Sequence, residues 1–327
     1  MKRILLLVLC ALTCAAQELR VYAIDVEGGK ATLYVSPSGQ SMLVDAGYAG
    51  FANRDANRIV ATAKAAGVAQ IDYLVITHYH GDHVGGVPQL AAKMPIRNFV
   101  DHGQTFEAAS GVYADYLAVR AKGKHIEVKA GDRIPIDGID GEVVTASGKA
   151  ITKPLPGAGQ PNPLCANYRP IELDKGENAH SVGMMITFGK FRLVDLGDLH
   201  WNQEYDLACP HNLLGTVDVY MTTHHAKKTS GAPAIVQALH PKAAIMNNAG
   251  NNGASEEAWQ TIHKSPGTPD IWQLHYAEGN AKMFNAPAEF IANQGANCKG
   301  FGIKLTARTD GRFTIENERT HKEKAYR

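Results

Sequence analysis

His78-Tyr79-His80-Gly81-Asp82-His83 packs three imidazoles and a carboxylate into one short run. Neutral imidazole and carboxylate are the ligand types of divalent metals such as Zn²⁺, and a turn carrying them at a strand end can direct neighbouring side chains toward two ions. Gly81 lets such a turn approach the ions closely. Other residues of the same chemistry lie further along the chain. They are Asp45 after Leu43-Val44, His180 after Asn178-Ala179, Asp198 after Leu196-Gly197, and the pair His224-His225 after Met221-Thr222-Thr223.

The segments around these residues read as an alternation of strands and helices. Leu19 to Val26, Ala31 to Val35 and Ser41 to Val44 form a predicted antiparallel meander that ends in Asp45-Ala46-Gly47. An alanine-rich helix follows over Asn53 to Ala66. A β-branched strand, Ile71 to Thr77, then delivers the histidine run, with a helix behind it over Val84 to Ala92 and another over Phe106 to Ala121. Residues 148 to 176, rich in Pro and Gly, form a long irregular loop. Its position just before His180 makes it an expected lid over the site. The second half repeats the plan: paired strands at Ser181 to Phe188 and Phe191 to Val194, a strand at Val217 to Thr222, and further strands and helices to Ile315. Residues 17–320 are therefore expected to be a single domain, and 321–327 a flexible tail.

At this point the chain resembles the metallo-β-lactamase superfamily, whose signature is His-x-His-x-Asp-His after a strand. Five motifs occur in the family's order over roughly residues 19 to 280. The resemblance implies an α/β fold, a four-layer αββα sandwich of two mixed sheets with outer helices. It implies one metal held by His78, His80 and His180, a second held by Asp82, His83 and His224, and Asp198 bridging both. Asp45 would support the motif turn as a group beyond the ligands. Spacing does not choose between His224 and His225, because adjacent residues leave a strand end in opposite directions; the ligand role is assigned to His224. Zinc is the default metal, with manganese or iron compatible with the same shell.

The activity implied is a metal-assisted hydrolysis. Two cations lower the pKa of a shared water and stabilise charge developing on the substrate, while Asp82 orients that water or receives its proton. His224-His225-Ala226-Lys227-Lys228 resembles the branch of competence-related DNA-uptake proteins, although Ala226 and Lys227 replace the Gly-Ser of that pattern. The branch implies phosphodiester hydrolysis on a small or short nucleotide-like substrate. The alternatives are an ester, lactone or lactam opened by the same site, and a non-catalytic exported metal-binding protein. Aspartate at position 198, where the commonest zinc β-lactamases use cysteine, weighs against lactams. Tyr79, His102, His225 and Lys227 are candidate neighbours of the substrate. Tyr79 either lines the pocket or packs beneath it, and His102 is read as a hydrogen-bonded surface histidine or a rim contact.

Composition narrows the partners. The 327 residues carry 33 Lys+Arg against 32 Asp+Glu, with 20% charged and 45% hydrophobic residues. No cationic stripe is present for duplex nucleic acid, and no run is long enough to span a bilayer. Lys2-Arg3, an apolar run to Leu12 and small residues before Gln17 read as a signal peptide over residues 1–16, so the protein is expected to be periplasmic or secreted. Cys165, Cys209 and Cys298 remain after cleavage and allow at most one disulfide, whose pairing the sequence leaves open. Oligomeric state leaves no mark in the sequence.

Overall fold

The computed structural model describes residues 17–295 and 298–327; the expected signal peptide lies outside the described residues. Two large mixed sheets dominate. The first runs Glu323–Tyr326, Phe313–Asn317, Ile303–Arg308, Glu18–Ala23, Thr32–Val35, Ser41–Val44, Ile71–Val75, Ile96–Asp101, Lys124–Glu127. The second runs Ile291–Asn293, Asp270–His275, Ala243–Met246, Val219–Met221, Phe191–Asp195, Gly183–Phe188, Asp140–Ala146, Arg133–Ile134.

Alternation along the strands sorts side chains into layers. Met42 and Val44 face the second sheet while Leu43 faces the helices. Likewise Met184 and Ile186 face inward while Met185 faces out. Inward residues of both sheets, including Tyr34, Val75, Leu193, Ile245 and Trp272, share one central core. Two outer cores seat the helices. Arg54–Ala65 packs its Ile59 and Ala63 on the first sheet, and Pro233–Leu239 packs Ile235 and Leu239 on the second. This is the expected four-layer α/β sandwich.

In each sheet the strands pair antiparallel first and parallel afterwards. Ser41–Val44, Ile71–Val75, Ile96–Asp101 and Lys124–Glu127 are parallel neighbours, as are Phe191–Asp195, Val219–Met221, Ala243–Met246 and Asp270–His275. The turns leaving these parallel strands carry Asp45, His78 to His83, His102, Asp198 and His224-His225, so the fold gathers the sequence motifs where open α/β sheets bind ligands.

Three expectations need correction. Residues 321–327 are not a loose tail: Glu323–Tyr326 is an edge strand, and the Tyr326 hydroxyl accepts from Trp272 Nε1 at 3.0 Å and donates to Asp270 at 2.8 Å. The helix expected from Phe106 begins only at Gly111, with Ser110 accepting from the Tyr113 N–H as its cap. The helix behind the histidine run is broken into Gly81–Val84 and Val87–Ala91. Gly86 separates these pieces where a Cβ would fall on the Ala46 carbonyl oxygen.

Residues 148 to 176 contain two-residue strands and a short 3₁₀ turn over Pro163–Asn167, and a Cys165–Cys209 disulfide ties them to the end of the helix Trp201–Ala208. Among the described residues no helix is long and apolar enough to cross a membrane. Closing a chain loop of this size restricts the unfolded ensemble, so reduction is expected to lower unfolding stability by about 2 to 4 kcal/mol. Urea titrations with and without reductant measure it, and coincident midpoints would show that the bridge contributes nothing.

Candidate metal centre

Asp45 sits at the end of Ser41–Val44 in a left-handed conformation, φ 61°. Its Oδ1 accepts from the Thr77 N–H at 2.8 Å. Its Oδ2 accepts from the Thr77 hydroxyl at 2.8 Å and from His83 Nδ1 at 2.7 Å. These bonds fix the turn and leave His83 Nε2 pointing into the centre, 3.2 Å from Asp198 Oδ2 and 3.7 Å from Asp82 Oδ2. Asp45 thus braces the turn from behind His83. Gly29 completes the packing behind the turn, since a Cβ there would meet the Asp82 carbonyl oxygen. That carbonyl accepts from the Lys30 N–H at 3.0 Å.

His78 is fully buried. The Thr77 hydroxyl, already donating to Asp45, is left to accept from His78 Nδ1 at 3.1 Å. On the other ring of the pair, His80 Nε2 donates to Glu107 at 3.2 Å. His78 Nε2 and His80 Nδ1 then face each other across 3.1 Å as two lone pairs, an arrangement that a shared cation satisfies. Asp198 adds a second sign of the same kind, because its Oδ1 is buried without a hydrogen-bond partner. Burial, reinforced by His83, pushes the His78 imidazole far below its ordinary range, keeping it a neutral ligand.

In this centre two groupings of donor atoms lie close enough to hold a metal: His78, His83 and Asp198, and Asp82, His83 and His225. His83 belongs to both, not to the second alone. The larger correction concerns the adjacent histidines. His225 Nε2 lies 3.4 Å from Asp82 Oδ2, 3.3 Å from Asp198 Oδ2 and 3.3 Å from His83 Nε2. His224 is 3.7 Å from Asp198 and belongs to neither grouping.

The cause lies in the backbone. His224, His225 and Ala226 are all left-handed, with φ 51°, 54° and 60°, so the alternation of an extended strand does not carry through. The His225 and Ala226 carbonyls accept from the Ala254 and Ser255 N–H groups at 2.9 and 2.8 Å, which holds the unusual turn. His224 instead stacks on His200 and approaches Lys227 Nζ at 3.3 Å. Burial, with Lys227 beside it, pushes its imidazole down to about 3.

His180 also departs from expectation. Its Nδ1 donates to the Gly176 carbonyl at 2.7 Å, its ring stacks on Phe106, and it lies outside both groupings.

The electrostatics favour cations. Burial opposes charge on His83 and His225, yet Asp198, with Asp82 nearby, outweighs it and holds both imidazoles above their ordinary range. Burial likewise opposes ionisation of Asp82 and Asp198, and the same histidines keep both carboxylates low. Beneath them Lys30, fully buried, pairs with Asp195. Nothing in the spacing of Lys30 announced this role. At the rim, burial and the nearby Asp82 push the Tyr48 hydroxyl up to about 12.

Glu177 escaped the sequence reading altogether. It is buried and accepts four hydrogen bonds: from Tyr79 N–H at 3.0 Å, His102 Nε2 at 3.2 Å, the Thr105 hydroxyl at 2.7 Å and Phe106 N–H at 2.6 Å. Burial opposes its charge, but these donors, His102 first, bring the carboxyl down to about 2. His102 is accordingly neither a surface group nor a rim contact; it is buried against Tyr79 and Glu177. Tyr79 packs beneath the site, its hydroxyl donating to the Gly103 carbonyl at 2.7 Å.

A cavity of about 440 Å³ beside His200 is lined by Ile171, Leu173, Lys228 and Thr229. Of the irregular loop, then, its last part forms this wall, while residues 157 to 164 line a separate cavity with Asn212 and Gln237.

The metallo-beta-lactamase superfamily model matches residues 24–160, from the first meander through the histidine turn. No curated protein sequence matches the chain. Solved structures similar to it include the metallo-beta-lactamase fold protein YhfI from Bacillus subtilis, at 12% identity over 78% of this chain and 96% of that one, TM-score 0.46. CmlA, a diiron beta-hydroxylase from Streptomyces venezuelae, is similar at 16% identity over 71% of this chain and 45% of that one, TM-score 0.44. A diphosphatase from the PhnP family is similar at 12% identity over 77% and 93%, TM-score 0.40.

Two outcomes follow. His225→Ala should lose about one equivalent of bound metal, whereas His224→Ala should retain the full content; elemental analysis of the purified variants reads both, and the reverse pattern would restore His224 to the centre. Glu177→Gln should lose on the order of 2 kcal/mol at neutral pH, because a carboxyl whose folded pKa is depressed stabilises the fold above its unfolded pKa. The advantage of the native protein should fade as pH falls from about 4.5 toward about 2. Parallel urea curves across that range would rule out the carboxylate as the stabilising group.

Proposed function

We propose that the protein is a dinuclear-metal-dependent hydrolase, exported to an oxidising compartment, that cleaves a small or short phosphodiester. The observation that carries the hydrolase reading is the pair of ligand groupings that share His83, with Asp198 Oδ2 3.2 Å from His83 and 3.3 Å from His225. His78 would hold one ion, Asp82 and His225 the other, and His83 and Asp198 lie within reach of both, while His80, outside both groupings, stands 3.1 Å from His78 Nε2. Zinc suits this all-nitrogen and oxygen shell, as do manganese and iron. Bound divalent cations supply Lewis acidity, acidifying a water and stabilising charge on the oxygen of the scissile group.

The chain's own residues supply the rest. Asp82, partly open to solvent and beside His225, is placed to take a proton. Lys227 stands at the mouth next to His224, where a cation can meet a non-bridging phosphate oxygen. This is the feature that favours an anionic phosphodiester, and it rests on the competence-like His224 to Lys228 segment. Ile171 and Leu173 favour the second reading, an ester or lactone with an apolar acyl part that rests on this wall. An intact set of ligand groupings speaks against a protein that binds metal without turnover. The Cys165–Cys209 disulfide supports export, since such bridges persist in oxidising compartments.

The test compares bis-p-nitrophenyl phosphate, p-nitrophenyl butyrate and a simple lactone, with His83→Ala as the inactive control. The phosphodiester should give the largest kcat/KM. Lys227→Met should raise its KM about tenfold, equivalent to about 1.4 kcal/mol, while leaving the butyrate ester nearly unchanged. Faster turnover of the ester or lactone, with no effect of Lys227→Met on the phosphodiester, would transfer the assignment to carbonyl chemistry.

A further inference from the structure

A separate cluster sits where the loop after Glu18–Ala23 meets the end of Asp270–His275. Asp25 Oδ1 lies 2.6 Å from His275 Nε2, and Asp25 Oδ2 lies 2.8 Å from the Cys298 Sγ, which is 3.9 Å from the same His275 nitrogen. Asp25 and His275 are buried and Cys298 is half-buried, so the sulfur remains reachable from solvent. Carboxylate, imidazole and thiol donor atoms all lie within 4.8 Å of one another. Around a tetrahedral zinc, ligand atoms stand roughly 3.4 Å apart, so the cluster needs only small side-chain shifts to close on an ion.

Burial and the neighbouring Asp25 carboxylate push the Cys298 thiol up to about 12, a cost that a cation bound between them would offset. The Gly300 N–H points at the Cys298 sulfur from 3.3 Å and Arg58 Nη2 from 3.6 Å, and two donors on one sulfur stabilise its anionic form. Arg58 also donates to both the carboxylate and the backbone carbonyl of Asp25, which orients that ligand. Formal charge agrees. Asp25, Glu27 and Asp55 face Arg54 and Arg58, leaving one uncompensated negative charge. Ionising Cys298 makes it two, which a divalent cation neutralises.

We propose that Asp25, His275 and Cys298 form a mononuclear metal site, distinct from the His78 to His225 centre, that takes zinc. On binding, the Cys298 thiol releases its proton to solvent and the sulfur coordinates the ion. Three protein ligands leave one position for water. The ion clamps the Asp25 to Lys30 loop to the strand carrying His275. That loop supports the turn through Gly29 and the Lys30 to Asp82 hydrogen bond, so the clamp steadies the hydrolytic centre without contacting it.

The test loads the full-length protein with cobalt(II), and separately with zinc, and compares it with Cys298→Ser, His275→Gln and His83→Ala. A thiolate-to-cobalt charge-transfer absorption in the near ultraviolet is expected in the native protein and in His83→Ala, and its loss is expected in Cys298→Ser. Zinc content should fall by one equivalent in Cys298→Ser and His275→Gln, with the remaining metal and the far-ultraviolet circular dichroism unchanged. Absence of the band together with unchanged zinc in both variants would overturn the site. Because His83→Ala empties the other centre, failure of the hydrolase reading and failure of this one give different patterns.

Discussion

The carboxylate of Asp45 accepts two hydrogen bonds from Thr77 and one from His83, and the rest of the centre is built on that contact. A buried anion of this kind is stable only with donors on both oxygens, and here every donor belongs to the turn that carries the ligands. Once Thr77 is committed to Asp45, its oxygen can only accept from His78, which sets the tautomer of the next ligand. One carboxylate thereby orients two imidazoles. The left-handed backbone at Asp45 is the cost of placing it there.

Around this anchor the centre gathers more carboxylate than its imidazoles balance. Lys30 answers part of the excess by pairing with Asp195 from below, a buried charge that pairing alone makes tolerable. The rest of the excess stays at Asp82, which is partly exposed, and at the buried, unpartnered oxygen of Asp198. A field of this shape favours divalent cations, and it adds to the burial that pushes the Tyr48 hydroxyl upward. Structure and charge therefore agree on where the His/Asp groupings of this centre can attract cations.

Most of the sandwich was legible in the sequence because its strands alternate and its motifs follow strands directly. The run from His78 to His83 could be read since all its members lie on one turn. Asp45 could be read from its place after an apolar strand. What failed had physical causes. The ligand role went to His224 over His225 because three successive left-handed residues, which spacing does not announce, bring His225 beside Asp82 and Asp198. Glu177 and Lys30 were missed because their partners are remote in sequence, and isolated charges give no periodic signal. The helix expected at Phe106 starts late because Thr105 and Phe106 are spent on Glu177. The final strand resembled a tail because its charged residues, Glu323 and Lys324, lie on an exposed sheet edge.

The repeated order of antiparallel then parallel strands has a consequence for assembly. Each half of the chain can raise its own sheet from neighbours close in sequence, the first sheet being completed when Ile303–Arg308 returns beside Glu18–Ala23. His78 to His83 leave one sheet, whereas Asp198 and His225 leave the other. A chain with both sheets formed but not yet face to face would have nearly all its native secondary structure and half a coordination shell on each piece. Neither sheet alone carries a complete set of the grouped donors, so the centre exists only where the two layers face each other.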